Sequence, residues 1–143
     1  MTDYKTALRA LLVADQLPAH AGRIITGLRE LGIDVLGWRA AEKYGGCEPE
    51  DMLTDEYLSL HSRPPIAESL HSLTVVSRGP DVPDREVTAA VAAGLGETPW
   101  MGTTTRIADG DAEAAALGDV EGVAVDMDAD GRVCGILFAG SGS

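Results

Sequence analysis

The sequence predicts an α+β domain: a mixed or antiparallel sheet with two main helices on one face and a C-terminal β-hairpin. Three observations predict it. Residues 18–32 and 83–95 repeat their apolar side chains with the helical period. Several short runs rich in Val, Ile and Thr read as strands. An Asp-Gly pair near the C-terminus separates two alternating apolar runs.

The first element admits two readings. Leu8, Leu11 and Leu12 among Lys5, Ala7, Arg9 and Ala10 favour a helix over residues 3–14, capped by Thr2 or Asp3. The run Ala10-Leu11-Leu12-Val13-Ala14 also reads as a buried strand. The helix is the preferred reading. From Pro18 to Gly32 the helix is plainer. Ala21, Ile24, Ile25, Leu28 and Leu31 share one face, Pro18 suits the first turn, and Gly32 suits a left-handed stop. A strand from Ile33 to Ala40 follows.

Residues 42–72 resemble an insertion more than a regular element. Gly45-Gly46 breaks the chain, a short acidic helix from Pro49 to Leu60 is expected, and Arg63-Pro64-Pro65 stops it. Leu73–Ser77 reads as a strand and Pro83–Leu95 as a helix ended by Gly96. Trp100–Ile107 reads as a Thr-rich strand, and Asp111–Leu117 as a short helix with Asp111 as its cap. The Asp130-Gly131 turn sets a hairpin register in which Met127 faces Cys134, Val125 faces Ile136 and Val123 faces Phe138. One domain over residues 1–139, with a flexible tail at 140–143, accounts for the 143 residues.

Charge narrows the partners. The net charge is −12, and from Asp109 onward eight acids face one base, Arg132. Such a surface repels phosphate backbones and anionic lipid, so neither nucleic acid nor membrane is an expected partner. Other proteins, or further copies of the chain, are. Without a signal-like start or a long apolar run, the expected location is the cytoplasm.

Local motifs for chemistry are sparse. Asp126, Asp128, Asp130 and Gly131 look like the opening of a calcium loop, but Leu137 stands where the bidentate acid belongs, and the hairpin explains the same residues. Cys47, His61, His71 and Cys134 lack the short paired spacings of a zinc site. Cys47 is followed by Glu48, Glu50 and Asp51, which disfavour a thiolate. No catalytic residue, metal ligand or cofactor is therefore expected. An enzyme remains a third reading, and it needs His61 or His71 brought to Cys47 or a carboxylate from elsewhere in the chain.

Two likenesses bear on function. The segments "ALRALLVAD…AGRIITG" and "SLTVVSRG" leading into "DREVTAAVAAGL" resemble tail-terminator and tail-completion proteins of tailed phages. That resemblance implies a non-enzymatic ring component of a virion. It wants residues 23–26 as strand, where periodicity makes them helix. The rival likeness is to ACT domains. There "LLVADQLPA" and the helix to "LRELGIDVLGW" look like the family's first strand, turn, helix and second strand. Ala19 stands where that family has Gly, and one extra residue lies between Asp15 and Pro18. This likeness implies a small ligand such as an amino acid held near Asp15, Pro18 and Ala19, usually at a dimer interface. An N-terminal helix favours the assembly role, which is the first expectation. A central strand there favours the ligand-binding one.

Overall fold

Tyr4, Thr6, Leu8, Ala10 and Leu12 are buried at every second position, which is the period of a strand and not of a helix. The computed structural model describes residues 1–43, 69–96, 98–118, 124–127 and 133–140. In it Thr2–Leu12 forms β1. This corrects the helix expected over residues 3–14. Helix propensity in Ala and Leu is a weak preference, and flanking strands on both sides of β1 override it. Thr6 hid the alternation, because a polar residue occupies a buried position.

The remaining elements follow in order. Helix α1 spans Leu17–Glu30, β2 Asp34–Lys43, β3 Ser69–Gly79, and helix α2 Asp84–Ala93. Strand β4 spans Trp100–Ile107, helix α3 Gly110–Gly118, β5 Ala124–Met127, and β6 Val133–Gly140. Gly32 stops α1 with φ +79°, as its position predicts. The expected cap of α3 is displaced: the Asp109 carboxylate, not that of Asp111, accepts the N–H of Ala112 at 3.1 Å.

The sheet order is β4-β1-β3-β2-β6-β5, and every neighbouring pair is antiparallel. The α+β class is thus as expected, with an antiparallel sheet. Among the described residues, the elements through β4 make a β-α-β-β-α-β pattern in which β3 inserts between β1 and β2, a split β-α-β arrangement. Strands β5 and β6 extend it beyond β2. Val125 pairs with Ile136, the register shifts after Asp126, and Met127 pairs with Val133 where the sequence places Cys134. The extra residue is the signature of a bulge, which a fixed two-residue-period reading does not foresee. The Asp130-Gly131 turn, the 49–60 helix, Cys47, His61 and residues 141–143 of the expected tail lie outside the described residues, and Gly140, the first residue of that tail, instead ends β6 opposite Trp38.

The core lies between one sheet face and α1 with α2. Ile24, Leu28, Val87, Val91 and Leu95 meet Tyr4, Leu8, Val35, Leu73 and Val75. Each fully buried side chain of this size contributes about 1.5–3 kcal/mol. A bulge between Val35 and Gly37 keeps Trp38 and Ala40 in register with Val75 and Leu73. Two sets of polar groups within this layer are matched, whereas the buried Ser77 hydroxyl finds no hydrogen-bond partner among the described residues. The Tyr4 hydroxyl donates to Pro80 O at 2.8 Å and accepts the Val82 N–H at 2.9 Å, which fixes the turn into α2. Thr6, Thr104 and Thr88 form a hydroxyl chain, at 2.8 and 2.7 Å, that ends on Asp84 O. One proton per hydroxyl suffices when all point toward Asp84.

Helix α3 lies on the opposite face. Its N-terminal Gly110 N–H donates to the Asp3 carboxylate at 2.7 Å. Arg78 bridges Asp3, at 2.7 Å, and Asp111, at 3.2 Å. The Arg78 guanidinium, then the Gly110 N–H, hold the Asp3 carboxyl below the usual carboxylate range.

Candidate functional site

Strand β1 and helix α1 meet at a sharp corner. After Leu12 the chain makes one 3-10 turn over Ala14–Gln16, and α1 starts at once. The Gln16 N–H closes that turn on Val13 O at 3.0 Å. Pro18 sits in the first turn, where its missing N–H costs nothing. Gln16, at the N-cap, makes no side-chain cap hydrogen bond, so among the described residues the first-turn N–H groups carry the positive end of the helix dipole without a side-chain acceptor.

The corner gathers the three residues that the ACT likeness singles out. Asp15, Pro18 and Ala19 are all exposed there, while their neighbours Leu17 and His20 turn inward. An acidic side chain and a bare helix N-terminus thus share one surface.

Beneath that surface is a polar knot that sequence reasoning missed. Arg23 donates through Nε to Gly94 O at 3.0 Å, and through Nη2 to His20 Nδ1 at 2.6 Å. Accepting from Arg23 places the lone pair on Nδ1 and the ring proton on Nε2. Burial, chiefly, pushes the His20 imidazolium pKa down; the Arg23 charge adds to this, and the Gly94 carbonyl at 3.2 Å opposes it. A neutral ring is the result at neutral pH. Gly94 is required here because a Cβ would lie 2.5 Å from Ile24 Cγ1 and 2.9 Å from the Ile24 nitrogen. The only foresign in the sequence is the i, i+3 spacing of His20 and Arg23 on one helix face.

A cavity of about 10 Å³ lies beside His20, lined by Leu17, Ile24, Val35, Trp38, Leu73 and Val75. It holds about one water, far below the roughly 300–1,000 Å³ of pockets that enclose small molecules. This cavity therefore has no room for a small-molecule ligand.

No known family, curated protein or solved structure matches this chain.

The same end of the sheet carries a second histidine. His71 on β3 is fully buried and stands in register between Ala10 on β1 and Glu42 on β2. A histidine and a carboxylate are thus cross-strand neighbours, the juxtaposition that an enzymatic reading asks for. Cys47 and His61, the other residues of that reading, lie outside the described residues. Among the described residues no three His, Cys, Asp or Glu side chains converge as a metal site, and no helix is long and apolar enough to cross a membrane.

Proposed function

We propose that the chain is a small-molecule-binding regulatory domain of the ACT type that works as a homo-oligomer and holds its ligand at the β1–α1 corner. The observation that carries this reading is β1 itself. It is an interior strand, between β4 and β3, and it feeds directly into α1 through one short turn. A free amino acid suits the corner chemically. Its carboxylate matches the uncapped first turn of α1, and its ammonium matches Asp15.

Thermal melting with each common amino acid, followed by calorimetric titration of any that act, tests this. A ligand at a hundredfold excess over its Kd stabilises by about 2.7 kcal/mol, which shifts the melting temperature by several degrees. Asp15→Asn removes the shift and leaves the ligand-free melting temperature unchanged. No response to any amino acid, or full binding by Asp15→Asn, overturns the proposal.

A second reading, a ring-forming assembly component such as a tail terminator, draws on the exposed edge of β4. It is the weaker one. Residues 2–12 are strand and residues 17–30 are helix, where that likeness has helix and strand in turn. A closed ring of many copies in solution would favour it over a dimer.

A further inference from the structure

The sheet ends on β5 at one rim and on β4 at the other, and among the described residues β4 pairs with β1 alone. The β4 rim has features that point to a partner. Every second residue of Trp100–Ile107 therefore turns its N–H and C=O away from β1. Open edges are commonly blunted by lysine, proline or inward charge, and this strand contains no Lys, Pro, Asp or Glu. Gly102, Thr103, Thr105 and Arg106 are exposed, and Trp100 is 39 % exposed. Among the described residues only Met1 and Trp100 are exposed large hydrophobic side chains.

We propose that β4 pairs with β4 of a second copy of this chain, antiparallel about a two-fold axis through Thr103. The proposal shares the self-association of the preceding reading and is independent of its ligand. Two-fold pairing must keep each side chain on its own face, which excludes registers centred between two residues. Of those that remain, the register centred on Thr103 pairs seven residues and covers Trp100.

That register is complementary in detail. Trp100 faces Arg106 of the second copy, Gly102 faces Thr104, Met101 faces Thr105, and Thr103 faces itself. Threonine pairs across strands are favourable, and an indole over a guanidinium is a cation–π contact. Arg106 is already held for it. Its Nη2 lies 2.6 Å from Asp81, its Nε 3.2 Å from Asp84, and its Cζ 6.0 Å from the centre of the Tyr4 ring. Two chains of net charge −12 repel over most of their surface, whereas β4 itself contains no acid and its one charge, Arg106, is balanced by its ion pairs to Asp81 and Asp84. Added salt should therefore tighten the pair by screening the repulsion elsewhere.

Sedimentation velocity over a concentration series, with no amino acid present, reads the association directly. The wild-type chain sediments as a dimer, more tightly at moderate than at low ionic strength. Thr103→Lys sets two like charges face to face on the axis and weakens the dimer by roughly tenfold or more. The substituted side chain is exposed, so the melting temperature of the monomer is retained. In a background with Cys47→Ser and Cys134→Ser, Thr103→Cys forms a disulfide-linked dimer on mild oxidation, because directly opposed residues meet disulfide geometry. Ala7→Cys, one strand inward and also exposed, does not. A wild-type chain that stays monomeric, an assembly whose mass is indifferent to Thr103→Lys, or equal cross-linking at 7 and 103 overturns the proposal. Loss of amino-acid binding with an intact dimer rejects the ligand reading alone, and ligand binding by a monomer rejects this one alone.

Discussion

On one face of the sheet, α1 and α2 press Ile24, Leu28, Val87 and Val91 into a shared apolar layer. On the other face, α3 has no fully buried residue between 111 and 117, and it is moored by ions. Arg78 joins Asp3 to Asp111, Lys5 reaches Glu113 at 3.2 Å, and Asp3 receives the first N–H of the helix. The first attachment is non-directional and proportional to area. The second is directional, depends on ionisation and is weakened by salt. One helix can thus come off the sheet under conditions that leave the other two in place.

The comparison breaks most visibly at Leu28, which is fully buried between α1 and the sheet. Leu28→Ala costs about 2–5 kcal/mol by denaturant unfolding, because it removes transfer energy and leaves a void. A loss within the range of ordinary surface substitutions would refute the picture of α1 as an apolar clamp.

Acid separates the two faces. The folded chain holds the Asp3 carboxyl below its unfolded value near 3.8, so its contribution is present above that value and fades as pH falls through the folded one. Hydrogen exchange at descending pH should expose the α3 amides before those of α1. Arg78→Met should move that release to higher pH. Simultaneous exposure of both helices would mean that α3 shares the core's cooperativity.

The smallest effect is expected at Lys5, whose ion pair with Glu113 is about 40 % exposed on each side (38 % and 42 %). Lys5→Met should change stability by no more than about 0.5 kcal/mol. A larger loss would show that the moorings of α3 act as one network.

Both amphipathic helices were legible in the sequence because one buried stripe repeats with the helical period, and Trp100–Ile107 because a run of threonines suits little else. The nature of residues 2–12 was not. Ala7, Arg9 and Ala10 are good helix formers, and only the pairing of β1 with β3 and β4 makes Tyr4, Thr6 and Leu8 equivalent. The candidate corner was half legible. Asp15, Pro18 and Ala19 are neighbours along the chain and are exposed, whereas Gly94 joins His20 and Arg23 from 71 and more residues away.

The sequence by itself determined the class, the two main helices and the anionic surface, since periodicity, stop signals and charge are properties of neighbours along the chain. Tertiary structure alone decided that β1 is a strand, that α3 takes the opposite face, and that β4 ends the sheet among the described residues. Each of these depends on hydrogen bonds and ion pairs between residues far apart in the chain, and no local pattern encodes a partner that distant.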